Sequence, residues 1–268
     1  MAPPGRSCVV GEHERHLCTL CLVSVLTNVS SLCRLLIHPL LPRLQGARLP
    51  YGSLSFCGRL TIRTNVYIDG FNLYYRAVRG TPYRWLDLGK LAGLLLPRQQ
   101  VNRIRYFTAL VKNRPNDPTQ AQRQQAFLRV LTTVPSLTIH YGSFLEGTKR
   151  RPLAHPSPSL PQIVEIVDTE EKGSDVNLAT YLLLDGFERD YDQAVVISND
   201  SDLTLPIQMV RDKLGMRVGV IDPSARRSFG LASAATWYRH LRQGVLKISQ
   251  FPDTLHDARG PITKPASW

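Results

Sequence analysis

No cysteine follows Cys57: Cys8, Cys18, Cys21, Cys33 and Cys57 are the chain's only five, among 268 residues. That excludes a disulfide scaffold for most of the chain and suits a reducing, cytoplasmic compartment. Cys18 and Cys21 form a lone CxxC. A structural zinc site needs a second ligand pair at suitable spacing, and His13, His16 and Cys33 supply no recognised pattern. Long apolar runs are also missing. Leu17 to Cys33 is broken by Thr19, Ser24, Thr27, Asn28, Ser30 and Ser31, and it falls short of the roughly 20 residues that span a bilayer. There is no GxxxxGK[ST] phosphate loop. Acids are scarce beside bases: 21 Asp and Glu against 33 Lys and Arg give a net charge of +12. Such a charge favours polyanionic partners through its field and through counterion release, and says nothing about the reaction.

The first 63 residues differ from the rest. They hold seven arginines, no lysine, and only Glu12 and Glu14 as acids, a net of +5 that leaves +7 for the remainder. We read residues 1–63 as a poorly structured or mis-extended leader, with an arginine-rich transit peptide as the weaker alternative. From Thr64 strand and helix patterns alternate. Strands are predicted to end at Asp69, Val111, Phe144, Asp200 and Ile221. Helices are predicted over 86–96, from Pro118 to Leu131, from Asp175 to Phe187, over 203–214 and over 228–241. The stretch 145–161, with Lys149, Arg150, Arg151 and four prolines, reads as a loop. Val245–Ile248 reads as an edge strand, and residues 251–268 as a flexible tail. This alternation predicts one α/β domain over 64–250: a three-layer α/β/α sandwich around a central, mainly parallel sheet.

Two stretches organise the domain. VYIDGFN (66–72) and VVISNDSD (195–202) are apolar, β-favouring runs that end abruptly in aspartate. Runs of this kind suit strands buried on both faces of a parallel sheet, and ligands of such sheets bind beyond the carboxyl ends of the strands. A third acid, Asp175, stands at the start of a helix, where the positive helix end favours it. Asp69, Asp175, Asp200 and Asp202 thus form a candidate carboxylate cluster. Hard oxygen ligands suit Mg²⁺ or Mn²⁺, which polarises phosphoryl oxygens and lowers the pKa of an attacking water. Asn72 is placed to hydrogen-bond a carboxylate, a metal-bound water or a phosphate. Each aspartate also has a plainer reading as a helix cap or turn brace. Asp168, Glu170 and Glu171 are close enough in sequence to compete for a role.

YIDGFNLYY, EKGSDVNLA and VVISNDSDL together, in this order, resemble the NYN domains, and specifically the LabA-like branch of the PIN-like nucleases. The resemblance implies a PIN-like sandwich, dependence on a divalent metal and cleavage of RNA. It carries Asp69, Asp175, Asp200 and Asp202 onto the family's acidic cluster. Asn72 takes the place of the motif asparagine, and Lys172 that of the lysine before the second acid. Two positions depart from the pattern: Tyr181 where another acid is frequent, and Leu203 where an aromatic is common. Lys172, Arg226 and Arg227 are expected to hold phosphates, against the plainer reading of solvated loop residues.

RNA is the expected partner, no membrane is expected, and a homodimer is left open. The competing reading is a non-catalytic nucleic-acid- or protein-binding module on the same fold. A small-ester phosphatase is disfavoured, because Asp69 begins DGFN rather than the DxDx(T/V) nucleophile motif.

Overall fold

A computed structural model describes residues 61–155 and 161–268. Residues 1–60 of the expected leader, and with them the CxxC, lie outside the described residues, while Arg63 already belongs to the first strand. From β1 (Arg63–Asp69) the chain enters α1 (Gly70–Leu73), a π-helical turn (Tyr74–Val78) and α2 (Leu88–Leu95). Next come β2 (Gln100–Thr108), α3 (Gln120–Leu131), β3 (Leu137–Tyr141), β4 (Ser143–Pro152) and β5 (Ile163–Lys172). The second half runs α4 (Ser174–Phe187), β6 (Gln193–Ile197), α5 (Thr204–Asp212), β7 (Arg217–Asp222), α6 (Phe229–Ala234), β8 (Trp237–His240) and α7 (Gln243–Ile248), and closes with β9 (Thr254–Asp257) and β10 (Gly260–Thr263).

Six strands form one parallel sheet in the order β3-β2-β1-β6-β7-β8. Both faces are covered, which explains the unbroken apolar runs. On β1, Val66 and Ile68 face a core completed by Leu88 and Leu91 of α2, Leu128 and Leu131 of α3, and Leu246 of α7. Tyr67, between them, points the other way, into a core with Leu178 and Leu182 of α4, Ile207 of α5 and Leu231 of α6. The three-layer α/β/α arrangement is the one expected. Among the described residues no helix is long and apolar enough to cross a membrane.

The order of the strands positions the site. From β1 the chain steps outward through β2 to β3, then returns to place β6 on the other side of β1. The crevice between the carboxyl ends of β1 and β6 is therefore a topological switch point, where open α/β sheets bind ligands.

Four expectations are corrected. Residues 145–161 are not a loop throughout: β4 and β5 form an antiparallel hairpin from Ser143↔Lys172 to Pro152↔Ile163. Cross-strand ion pairs from Lys149 to Asp168 (2.7 Å) and Glu170 (3.0 Å) lace it together, and its prolines stand only at Pro152 and beyond. The helix expected over 228–241 stops at Ala234, because the aromatic, β-favouring Trp237–His240 pairs with β7 instead. Val245–Ile248 lies in a short helix, not an edge strand. Residues 251–268 are not a loose tail. β9 and β10 pair, Ile262 is buried, and the Trp268 ring packs 6.1 Å from that of Trp85.

Gly219 of β7 shows how closely β8 is seated, since a Cβ added there would fall inside the Trp237 indole. Gly219→Ala is expected to cost about 1–3 kcal/mol by overpacking. A urea-unfolding midpoint unchanged from wild type would show that the indole can step aside.

Candidate metal centre

β1 delivers Asp69 to the crevice, where the carboxylate is 5% exposed. Its Oδ1 accepts from the Asn72 backbone N–H (2.9 Å), which caps α1, and its Oδ2 accepts from the Ser198 hydroxyl (3.0 Å). Ser198 follows β6 directly, and its Oγ in turn accepts from the Asp200 N–H (3.0 Å). Asp200 caps the next turn by accepting from the Asp202 N–H (3.0 Å). The side-chain carbonyl of Asn72 accepts from the Asn199 N–H (3.0 Å), tying α1 to the loop after β6. Asp175 enters from the first turn of α4, just after Gly173 turns the chain at φ +95°. The Glu171 carboxylate accepts from the Ser174 N–H (3.1 Å) at the same corner.

Asp69, Asp175 and Asp200 each offer an oxygen, and these three lie within 4.8 Å of one another. Burial pushes the Asp69 carboxyl up to about 7, and the charges of Asp175 and Asp200 add to this against two opposing hydrogen bonds. Asp175 is pushed up to about 6 by burial, then by Asp200, Glu171 and Asp202. Side-chain capping of α1 and of the turn after β6 confirms the plainer roles of Asp69 and Asp200 without consuming the cluster. Among the described residues the Asp175 carboxylate accepts no hydrogen bond, and nothing about a cap requires three carboxylates to converge. The donor set fits a hard divalent cation, which would relieve the repulsion and the burial penalty together.

The remaining candidates are distributed differently. Asp202 is exposed and stands outside the three-carboxylate group, near enough to act on Asp175 through its charge. Asn72 binds within the site as described. Lys172 ends β5 and pairs with Glu170 at 2.7 Å, so its charge is already answered by a neighbour. Arg226 and Arg227 line an open groove of about 480 Å³ with Asn72, Arg76, Asn199 and Asp200, and the Arg227 guanidinium lies over the Tyr238 ring.

Three residues of the site were not singled out by sequence. Ser198 and Asn199 bridge the two acidic stretches, and the fully buried Asp222 accepts from Asn199 Nδ2 (2.7 Å) and from the Tyr238 hydroxyl. The polar pair that leads into the acids, in the run SNDSD (198–202), was the signal for the first two. Asp222, at the end of a third apolar strand, repeats the pattern of Asp69.

Residues 63–241 match the NYN domain model. The chain belongs to the NYN domain family. It is also 32% identical over 237 residues to the 6-hydroxy-3-succinoylpyridine 3-monooxygenase HspA of Pseudomonas putida, an alignment covering 77% of this chain and 75% of that one. A solved protein of unknown function from Vibrio parahaemolyticus aligns with a TM-score of 0.44 and 16% identity over 68% of this chain and 94% of its own.

Proposed function

We propose that this NYN protein, of the LabA-like branch, is a divalent-metal-dependent ribonuclease acting in the cytoplasm. The observation that carries the reading is the convergence of the Asp69, Asp175 and Asp200 carboxylates at the switch point of the sheet. These three would hold Mg²⁺ or Mn²⁺, which when bound supplies a Lewis acid for the phosphoryl oxygens and an acidified water. Asp202, exposed and outside that group, would act only at longer range, by orienting a water. The Asn72 N–H and the Ser198 hydroxyl fix the angle of the Asp69 carboxylate through the hydrogen bonds they donate to it. Arg76, Arg226 and Arg227 offer positive charge along the adjoining groove, where a phosphate backbone would run. Tyr181, in place of the acid frequent in that branch, packs on Arg105 and His140 and adds no carboxylate.

The test is cleavage of labelled single-stranded and structured RNAs with Mn²⁺, Mg²⁺ or EDTA. Metal-dependent cutting by wild type, lost in Asp200→Asn, is the expected result. Salt-sensitive binding without any cutting would leave a non-catalytic binding module instead. The monooxygenase name of the 32%-identical relative favours one second reading, oxygenation of a small pyridine acid at the same carboxylates. Oxygen uptake with such a substrate and a reductant, with RNA left intact, would establish it.

A further inference from the structure

A second cavity, of about 200 Å³, opens at the same edge of the sheet, beyond the carboxyl ends of β1 and β2. That is room for roughly seven waters. Gly70, the residue after Asp69, forms part of its wall together with Tyr106. The Tyr106 ring carbon bearing the hydroxyl lies 2.7 Å from where a Gly70 Cβ would stand. The cavity and the carboxylates therefore share a border one residue thick.

Two components of its lining bear on what it could hold. Phe71, Tyr74, Tyr106, Phe127 and Trp268 present aromatic surface. Arg79, Arg84, Arg114 and Arg123 present guanidinium groups. Arg123 is committed to Asp117 (2.5 Å). The others have no carboxylate partner among the described residues. Arg84 donates through Nη1 to the Ser267 carbonyl (3.3 Å), yet its Nε is buried without a partner among the described residues. That Nε has almost no surface open to the cavity, so any ligand there would meet the Nη groups of Arg84 rather than its Nε. Leu73, Val78, Leu86, Leu88 and Val111 add aliphatic surface and Asp117 a carboxylate, so it is the guanidinium groups without a carboxylate partner that set this cavity apart from a plain packing defect.

We propose that this cavity binds a single nucleotide unit, its base against the aromatic walls and its phosphates answered by Arg84 and Arg114. The pairing of ring faces with guanidinium groups is the chemistry by which single-stranded bases are held. Only the placing of that nucleotide within an RNA substrate rests on the ribonuclease reading. The cavity would then hold an unpaired base next to the reacting phosphate, so that the enzyme acts on single strands and loops rather than on continuous duplex.

The experiment is calorimetric titration of the full chain in EDTA with adenosine and uridine 5′-monophosphates, and with pyridine-3-carboxylate as a small ring-and-anion control. Saturable nucleotide binding is expected. Phe127→Leu, which keeps an apolar side chain but removes the ring face, should weaken it roughly 5- to 100-fold. Arg114→Gln, at an exposed position, should weaken it about 10-fold with an unchanged melting temperature. Nucleotide binding that neither variant alters places the ligand elsewhere and overturns the assignment. So does binding of the pyridine acid with no binding of nucleotides. Because EDTA removes the metal, nucleotide binding with no RNA cleavage in the earlier test would sink the ribonuclease reading and leave this site standing.

Discussion

Asp69→Asn is expected to raise the stability of the metal-free protein at pH 8 and to abolish its cleavage of RNA. The carboxyl of Asp69 is 5% exposed and is pushed up to about 7 from an ordinary value of 3.8. Between about pH 4 and 7 the folded chain therefore holds a proton that the unfolded chain has released. Stability in EDTA falls as pH rises through that window, because the native state must give up the proton to a buried, doubly repelled site. An asparagine carries no such charge. It still accepts from the Asn72 N–H, and its amide can donate to Ser198 Oγ in place of the bond that the hydroxyl made to the carboxylate. The gain at pH 8 is on the order of 2 kcal/mol, or about 4–8 °C in melting temperature, and it vanishes below pH 4.

The same substitution removes one of three candidate ligands. Changing groups that merely orient metal ligands costs 10- to 100-fold, so loss of a ligand should cost at least about 100-fold in metal-supported cleavage. Adding Mn²⁺ should stabilise wild type and leave the variant nearly unmoved. A variant less stable than wild type in EDTA at pH 8 would show that Asp69 serves as a cap and nothing more.

These opposed effects bear on what the sequence made legible. Asp69 and Asp200 were readable because a strand buried on two faces has no reason to run into a carboxylate unless the chain is leaving the core, although β6 stops at Ile197 and Asp200 stands in the turn after it rather than at the strand end. Asp175 was readable from the helix that follows it. Asp202 shared the motif but not the geometry: the turn that Asp200 caps leaves the next acid exposed. Lys172 likewise matched by position, yet the hairpin β4–β5 sets Glu170 beside it. That hairpin was itself illegible, because its stability comes from pairing with a partner strand and from ion pairs across it, and local composition records neither. β8 was missed for the same reason, since its Trp237 gains more from covering Gly219 than the sequence gains by extending α6.

Asp185→Ala is expected to produce the largest loss of stability, about 3–5 kcal/mol. Asp185 is 2% exposed and lies near the end of α4. Arg105 of β2 donates to it through Nε (2.8 Å) and Nη2 (2.7 Å), and the Tyr67 hydroxyl of β1 donates at 2.6 Å. Arg105 also faces His140 Nε2 (3.1 Å) and lies over the Tyr181 ring (4.3 Å). Truncation leaves a buried guanidinium without its counter-ion and a buried hydroxyl without its acceptor, and the loss of both explains the size of the effect. The double variant Arg105→Met/Asp185→Leu removes both charges and should recover much of the loss, as measured by urea-unfolding midpoints. Equal loss in the single and double variants would assign the cost to packing instead.

The consequence reaches the site. α4 carries Asp175 in its first turn and Asp185 near its end, while Tyr67 stands two residues before Asp69 on β1. The network therefore clamps the helix that supplies one carboxylate to the strand that supplies another. Asp185→Asn keeps an acceptor for Tyr67 but weakens the clamp, so it should lower Mn²⁺ affinity while the folded protein persists. Unaltered Mn²⁺ affinity, measured by titration of Mn²⁺-dependent stabilisation, would mean that the two ends of α4 are set independently.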